Sequence, residues 1–311
     1  MANQEPKLVH NFAPTPDGGQ LSYYTVGTGP SLLILHGSVS YALSHSELAI
    51  ALSPYFTVHL ASRRARGLSS AYPTSVTSLP AVCTPASDTQ QEETIQIATT
   101  THPRTYTRSF TTAVLSTDTS DLSSLLTTTA ASFLLSISSG ALLTLSALLS
   151  SPPSLPPTLK KVILLEPPVL FSNRTTLCHG IATGLLPRFE REMAAGDTPS
   201  AAVTAMRLVE LGPGWIPRGG LVGVLRYDLA VVEGMVGEVE RLRRLKGGGV
   251  EVMGLGGGSS PAWMGEGMEA LREVGRVKVV VVEGVGHEAA CNAEMRGRPE
   301  KVVPAIREFF Q

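Results

Sequence analysis

The stretch that decides the fold is Phe133-Leu134-Leu135-Ser136-Ile137-Ser138-Ser139-Gly140-Ala141. Four of its first five residues are apolar, which is typical of a buried strand, and the Leu/Ala-rich run that continues to Leu149 is typical of a helix. Ser138 stands between the two, and the small residues Ser136 and Gly140 lie two positions before and after it. Small side chains are needed there because the strand and helix backbones pass close together. The stretch therefore predicts a strand, a tight turn at Ser138 and a helix.

The same spacing carries a chemical meaning. It matches the G-x-S-x-G nucleophile elbow, with the first glycine replaced by Ser136. Alone the motif is weak, because Ser-x-Ser-x-Gly can arise by chance in a serine-rich stretch. The strand before it and the helix after it strengthen the interpretation of Ser138 as a nucleophile. The amide of Ser139 would then open the helix, where backbone donors and the helix dipole stabilise an oxyanion.

A second turn supplies the other half of that arrangement. The segment Leu35-His36-Gly37-Ser38 follows a short apolar strand and can present a backbone N–H from Gly37 or Ser38. We therefore predict an oxyanion hole formed by Gly37, Ser38 and Ser139. For His36 we expect a structural role, with the ring packed below the site.

A general base is expected in the loop after the last strand. Val285-Gly286-His287 follows the strongly β-branched run 277–282. A serine hydroxyl is a poor nucleophile near neutral pH, so a neutral imidazole must accept its proton. His287 is the predicted base.

Glu166 is the candidate for the third member of this group. It ends the apolar run 161–165 and precedes two prolines that fix the chain direction. Carboxylates rarely occupy such apolar strand ends unless they are paired. Glu166 would hold the tautomer of His287 and stabilise its imidazolium. The alternative is a structural carboxylate that caps or bridges the loop.

The rest of the chain alternates strands with helices, which predicts a mostly parallel sheet covered on both faces. A hairpin opens the chain around the turn-forming run Pro16-Asp17-Gly18-Gly19. The predicted strands are 8–12, 21–26, 31–35, 56–60, 132–137, 161–165, 250–255 and 277–282. The predicted helices are 43–53, 106–128, the run after Ser138, 263–274 and 299–310.

This order of elements and motifs resembles the α/β-hydrolase fold family over nearly the whole chain. Arg63, Arg64, Arg66, Gly67 and Ser69 look like the family's Arg-Gly-x-Ser loop, which shapes and supports the site there. From the residues alone, these arginines are either a solvated face or structural salt bridges. The resemblance implies a mostly parallel eight-stranded sheet flanked by helices, with a helical cap inserted after strand 6.

The expected domain organisation follows from the resemblance. Residues 1–169 and 248–311 would form the α/β-hydrolase core. A Ser/Thr/Pro-rich stretch at 71–108 is expected to be a loop insertion in that core, at least partly mobile. Residues 170–247 would form the helical cap.

The position of the acid suggests a subtype. Many members carry it after the seventh strand, but here 254–261 is glycine-rich and holds no carboxylate. Zearalenone lactonases are among the members that place it one strand earlier. Their Ser-Ser-Gly elbow and Glu-Leu-Pro segment resemble Ser138-Ser139-Gly140 and Glu166-Pro167-Pro168. The resemblance implies Glu166 as the acid and a lactone as one substrate class.

The predicted reaction is acyl transfer to Ser138 followed by attack of water, which needs no metal and no organic cofactor. Apolar residues of the predicted cap favour a hydrophobic ester or lactone substrate, and Trp215 is the predicted substrate contact. Two alternatives remain open. One is another reaction at the same residues, either C–C bond hydrolysis or acyl transfer to a non-water acceptor. The other is a small-molecule receptor without turnover.

The composition of the chain limits the binding partners and the cellular location that we expect. With 25 basic and 26 acidic residues the net charge is −1, so we expect no general attraction to nucleic acid or to a membrane. Three widely spaced cysteines and a polar N-terminus without a signal-peptide core favour a reducing, cytoplasmic location. The uncharged run 130–150 splits into a strand and a helix rather than a membrane span. The sequence leaves a homodimer open.

Overall fold

The computed structural model of the protein describes residues 6–83, 94–97, 100–150, 154–168, 184–208 and 221–311. Ten strands lie in these ranges: β1 (Val9–Pro14), β2 (Gln20–Val26), β3 (Ser31–Leu35), β4 (Thr57–Ala61), β5 (Thr94–Ile97), β6 (Thr100–Pro103), β7 (Phe133–Ile137), β8 (Lys161–Leu165), β9 (Glu251–Gly257) and β10 (Lys278–Val282). Eight of them form one sheet in the order β1-β2-β4-β3-β7-β8-β9-β10, and β5 pairs with β6 alone. Strand β2 is antiparallel to β1 and β4, and the other pairs of the large sheet are parallel. The predicted eight-stranded, mostly parallel sheet is confirmed.

Helices connect these strands. The α-helices are α1 (Ser46–Leu52), α2 (Thr74–Thr77), α3 (Arg108–Thr128), α4 (Ser139–Leu148), α5 (Leu186–Ala194), α6 (Thr198–Leu208), α7 (Leu221–Gly234), α8 (Ala262–Glu273) and α9 (Pro299–Phe310). Short 3₁₀ helices span Ala42–His45, Glu238–Leu245 and Ala293–Met295. Among the described residues, no helix combines the length and the apolar character needed to cross a membrane.

The central strands of the sheet are buried on both faces, and successive side chains of each strand point to opposite sides. In β3, Leu32 and Ile34 pack in one hydrophobic cluster with α1 and α9. Leu33 and Leu35 pack in a second cluster with α3, α4 and α8. Continuous apolar strands are what such two-sided burial requires.

The register of the parallel strands brings the predicted site residues to the carboxyl end of the sheet. Leu35 pairs with Ser136, Ile137 with Leu165, and Leu165 with Leu255. The carboxyl end of each of β3, β7, β8 and β9 therefore lies within two residues of that of its neighbour. Ligands of open parallel sheets bind at this end of the strands.

Two segments that the sequence sets apart contain regular secondary structure in their described parts. The stretch 71–108, expected to be a loop insertion, contains helix α2, the β5–β6 hairpin and the first residue of α3. The segment 170–247, expected to be a cap, contains the three helices α5, α6 and α7 in its described parts. Phe189 and Leu225 of these helices are buried, and α7 packs against α3 and α4. Trp215 lies outside the described residues.

Candidate active site

The turn between β7 and α4 holds Ser138 in a strained conformation. Its φ of 52° and ψ of −122° lie in a region that side-chain-bearing residues rarely adopt. The turn is also tightly packed. A Cβ added to Gly140 would lie 2.5 Å from the carbonyl oxygen of His36, and one added to Gly37 would lie 2.7 Å from Cβ of Ser138. The β3 turn and the β7 turn thus touch through backbone, as the elbow motif requires.

Ser136 fills the position where the motif has glycine. It is fully buried, and its hydroxyl lies 2.7 Å from Oγ1 of Thr144 on α4. Thr144 in turn donates to the carbonyl of Gly140 at 3.0 Å, so Ser136 is the donor of this pair. A hydrogen bond between strand and helix thus accommodates the extra side chain.

Three side chains predicted from separate parts of the chain come together at the sheet edge. Nε2 of His287 lies 3.0 Å from Oγ of Ser138, and Nδ1 of His287 lies 2.8 Å from Oε2 of Glu166. An ionised carboxylate only accepts, so Nδ1 carries the proton and Nε2 accepts from the Ser138 hydroxyl. The arrangement can move a proton from the serine to the imidazole.

The Glu166 carboxylate is held from the other side as well. Its side chain is 2% exposed, and Oε1 accepts the N–H of Gly257 at 2.6 Å. Burial alone would raise the pKa of Glu166, but the His287 imidazole and the Gly257 amide lower it more strongly. The net pKa is below its ordinary value, so this carboxyl group is ionised at neutral pH.

The glycine-rich end of β9 explains how Glu166 reaches His287. A Cβ on Gly257 would lie 2.5 Å from the carbonyl oxygen of Val285, in the loop that carries His287. Glycine there lets the two backbones meet, and it leaves the Gly257 amide facing the carboxylate. The glycine-rich stretch 254–261, which holds no carboxylate, therefore supplies a hydrogen-bond donor to Glu166 through the amide of Gly257.

The residues predicted for the oxyanion hole surround the same place. Ser139 is the first residue of α4, so its N–H has no carbonyl one turn earlier to donate to. Gly37 and Ser38 line the pocket that contains Ser138 and His287. The predicted role of these three amides stays a prediction.

His36 sits beneath the site and is 1% exposed. Its Nδ1 donates to the carbonyl of Gly37 at 2.8 Å, and its Nε2 accepts the amide of Arg63 at 3.0 Å. Burial, followed by the charges of Arg66 and Arg63, holds the pKa of His36 well below its usual range. A neutral ring with both nitrogens occupied by backbone agrees with the expected structural role.

Solved structures similar to this one cover nearly its whole length. An α/β hydrolase from Sphaerobacter thermophilus DSM 20745 gives a TM-score of 0.69 at 21% identity, covering 97% of this chain and 100% of that chain. The esterase RhEst1 from Rhodococcus sp. ECU1013 gives 0.54 at 17% identity, covering 96% and 98%. The protein has the α/β-hydrolase fold.

A third structure with this fold is 2-hydroxy-6-oxo-6-phenylhexa-2,4-dienoate hydrolase from Rhodococcus sp. strain RHA1, with a TM-score of 0.58 at 15% identity, covering 98% of this chain and 99% of that one. No protein-family model and no curated protein matches the sequence. At these identities the likeness establishes the α/β-hydrolase fold and leaves the reaction to be argued from the site.

The arginine side chains of the Arg-Gly-x-Ser loop are buried, although Gly67 and Leu68 of the same loop are exposed. Arg63 pairs with Asp118 of α3 and Asp228 of α7, each at 2.6 Å, and Arg66 pairs with Asp228 at 2.7 Å. Arg63 also donates to Oγ of Ser139 at 3.2 Å. Of the two alternatives for these arginines, the structural salt bridge is confirmed and the solvated face is wrong.

Sequence reasoning missed the two aspartates of this cluster. Asp228 of α7 is followed directly by the apolar run Leu229-Ala230-Val231-Val232, and it is fully buried. A carboxylate on an apolar helix face needs a buried cation as partner. That rule, together with the three arginines after β4, could have identified Asp228 as their partner from the sequence.

The pocket beside Ser138 has a mixed lining. Ile137 and Met295 are its apolar side chains, while Ser40, His45, Glu288 and Cys291 add polar groups. Within the described ranges, no group of three or more His, Cys, Asp or Glu is arranged to hold a metal ion.

Proposed function

We propose that this protein is a serine hydrolase that cleaves a hydrophobic ester or lactone through an acyl-enzyme on Ser138. The observation that carries the proposal is the pair of short distances at His287, 3.0 Å to the Ser138 hydroxyl and 2.8 Å to the Glu166 carboxylate. Nucleophile, base and orienting acid within hydrogen-bond reach are the geometric requirement of this chemistry.

In the first half of the reaction, Oγ of Ser138 attacks the substrate carbonyl while Nε2 of His287 takes its proton. The resulting oxyanion is stabilised by the amides of Gly37 or Ser38 and of Ser139. Glu166 stabilises the imidazolium through Nδ1. The imidazolium then protonates the leaving alcohol, and the acyl group stays on Ser138.

In the second half, His287 takes a proton from a water molecule, whose oxygen attacks the acyl carbonyl. A second oxyanion forms in the same hole and collapses with release of the acid. The proton returns from His287 to Oγ of Ser138, which restores the free enzyme. Atoms and charges balance without any cofactor.

The pocket lining and a family resemblance both bear on the substrate class. Ile137 and Met295 supply the apolar part of the mixed pocket lining, which suits the hydrophobic part of a substrate. We propose residues 170–247 as the cap over this pocket, with Trp215 as a substrate contact. A lactone is included because the Ser-Ser-Gly elbow and the acid at Glu166 resemble those of zearalenone lactonases.

Cleavage of a C–C bond is the second candidate. The dienoate hydrolase named above has the same fold, and a serine relay of this kind can serve such a reaction. The two candidates differ in substrate: an ester or lactone in one case, a diketone in the other. Activity on a diketone with none on esters or lactones would favour the second.

A fluorophosphonate probe tests the proposal most directly. The wild type should be labelled rapidly on Ser138, and Ser138→Ala should not be labelled. Ser259→Ala removes an exposed serine of the loop after β9 and serves as the matched control, which should label like the wild type. No labelling of the wild type would favour a receptor without turnover.

The substrate class needs a second measurement. Rates with p-nitrophenyl esters of increasing acyl length, with simple lactones and with resorcylic lactones should be compared on one preparation. Hydrolysis that rises with acyl length supports the hydrophobic ester, and resorcylic lactones far above simple ones would support the lactone.

A further inference from the structure

The pocket beside Ser138 contains a carboxylate that the proposed mechanism does not use. Glu288 directly follows His287, is half-buried, and lines the pocket together with Ser138. Its carboxylate lies against the backbone of Gly286, because a Cβ added there would be 2.9 Å from Oε2 of Glu288. A charge that is partly withdrawn from water into a pocket wall affects what that pocket will bind.

Within the part of the chain that the structure describes, no Lys or Arg side chain pairs with Glu288. Two titratable neighbours in the same wall, His45 and Cys291, are neutral. Burial lowers the pKa of His45 to about 4, and its Nδ1 donates to the carbonyl of Ala290 at 2.8 Å. Burial, followed by the Glu288 carboxylate, raises the pKa of the Cys291 thiol to about 12. The negative charge of Glu288 is therefore not cancelled by these groups.

The position of Glu288 in the chain indicates which part of a substrate it faces. In the proposed reaction, His287 delivers its proton from Nε2 to the leaving oxygen. Glu288 is the next residue, and its carboxylate folds back along the same loop over Gly286. Because the leaving oxygen must lie next to His287 and Glu288 lines the same pocket, we assign this side of the pocket to the leaving alcohol.

We propose that Glu288 makes the site select leaving groups that carry a cationic ammonium group and reject leaving groups that carry a carboxylate. This inference rests on the proposed function and narrows its substrate class on the alcohol side. It is compatible with an apolar acyl part, because Ile137 and Met295 form the apolar lining of the same pocket.

The physical basis is both attractive and repulsive. A half-buried carboxylate interacts with a nearby charge more strongly than an exposed one, because less water lies between them. A substrate ammonium group is attracted by the Glu288 carboxylate, and a substrate carboxylate is repelled by it. The selectivity between the two substrates is the difference of these two interaction energies. The contrast should thus be larger between cation and anion than between cation and neutral group.

Three thioacetates of similar size test the inference with a common readout, the released thiol. The first is the thioacetate of thiocholine, the second that of its uncharged carbon isostere, and the third that of mercaptopropionate. For the wild type we expect kcat/KM to fall about tenfold at each step from cation to neutral group to anion.

Two substitutions assign that preference to one side chain. Glu288→Gln keeps the size of the residue and should bring the three kcat/KM values within about threefold of one another. Glu288→Lys should place the anion above the cation. The matched control is Glu283→Gln, which removes an equal charge from the exposed Glu283 near Gly258, outside the pocket lining, and should keep the wild-type order.

The outcomes separate the inference from the proposed function. Hydrolysis of all three thioesters at similar rates, or an order that Glu288→Gln leaves unchanged, would overturn the role of Glu288 while the serine hydrolase stands. Failure of all three thioesters together with absence of fluorophosphonate labelling would overturn both. Thermal unfolding of each variant shows that a changed ratio does not come from a misfolded protein.

Discussion

Glu166 shows how one residue combines strain and burial. It has a φ of 42°, in the left-handed region, and its side chain is 2% exposed. Strained backbone of this kind persists only where the surroundings determine it, and it is concentrated at functional sites. Here the hydrogen bonds that the Glu166 carboxylate accepts from His287 and Gly257 hold the residue in this conformation.

We expect Glu166→Gln to lower kcat by about three to four orders of magnitude. The amide would donate to Nδ1 of His287, so Nε2 would carry the proton and could not accept one from Ser138. Turnover of a p-nitrophenyl ester measures the effect, and circular dichroism shows that the fold is retained.

The control for this substitution is Glu269→Gln on α8. Glu269 is exposed and pairs with Arg272 on the same helix face, an interaction of small energetic weight. It should leave kcat unchanged. Near-normal turnover of Glu166→Gln would instead assign Glu166 the structural role.

At the scale of elements, the contact between the β3 turn and helix α4 depends on Gly140. The Cβ of an alanine there would lie 2.5 Å from the carbonyl oxygen of His36 and 3.1 Å from that of Leu35. Both are backbone atoms, so one of the two turns must move. Such overpacking costs about 1–3 kcal/mol or more.

Gly140→Ala should therefore lower the free energy of unfolding by at least about 2 kcal/mol and displace Ser138 from His287. Urea unfolding measures the first effect and fluorophosphonate labelling the second. Gly265→Ala is the opposite case, because a Cβ in that position of α8 meets nothing within 4 Å. It should stabilise the protein slightly, by about 0.5–1 kcal/mol.

Arg63 connects four elements around the site. Its backbone amide donates a hydrogen bond to His36 in the β3 turn, and its guanidinium donates to Ser139 at the start of α4. The guanidinium also forms ion pairs with Asp118 of α3 and Asp228 of α7. Both predicted halves of the oxyanion hole are therefore tied to one residue. The helix α7 is tied to the same residue by Asp228.

Asp228→Asn should destabilise the protein by about 3–5 kcal/mol, because it leaves Arg63 and Arg66 without a common buried counterion. We also expect lower kcat with little change in KM, since the amide of Ser139 would be less well held. Denaturant unfolding and steady-state kinetics report these two effects. Glu240→Gln, which breaks the exposed pair with Arg243, should change neither by a measurable amount.

At the scale of the whole molecule, buried histidines link stability to pH. Burial lowers the pKa of His45 and of His59 to about 4 each. Between pH 4 and 6.5 the unfolded chain binds protons at these rings that the folded protein does not, so stability rises with pH there and is lost as the pH falls. Asp121 acts in the opposite sense, because burial raises its pKa to about 6.

His45→Asn isolates one of these contributions. Each ring adds up to about 1.4 kcal/mol per pH unit to the slope of the unfolding free energy in that interval. The slope of the variant between pH 4 and 6.5 should be flatter than that of the wild type by about this amount. Asp121, whose effect on the slope has the opposite sign, is present in both the wild type and the variant and does not affect the comparison. Identical slopes of unfolding free energy against pH in the two proteins would contradict the buried neutral state of His45.

The local patterns of the chain determined most of the architecture. The boundaries of β3, β8 and α9 agree with the sequence prediction to the residue. In β3 and β8 a short apolar run ends at a polar residue, and α9 begins at Pro299, a residue that favours the first turn of a helix. Ser138 and His287 could be named because each follows a predicted strand at the expected place in the chain order. The hairpin β5–β6 was not predicted, since its sequence has no clear period.

Tertiary structure alone decided the rest. Whether Glu166 reaches His287 depends on parallel register across β7, β8 and β9, and on glycine at 257, neither of which a local pattern contains. The partners of Arg63 lie 55 and 165 residues away in the chain. Periodicity in a sequence reports which face of an element is buried, whereas distances between side chains are set by how the elements pack together.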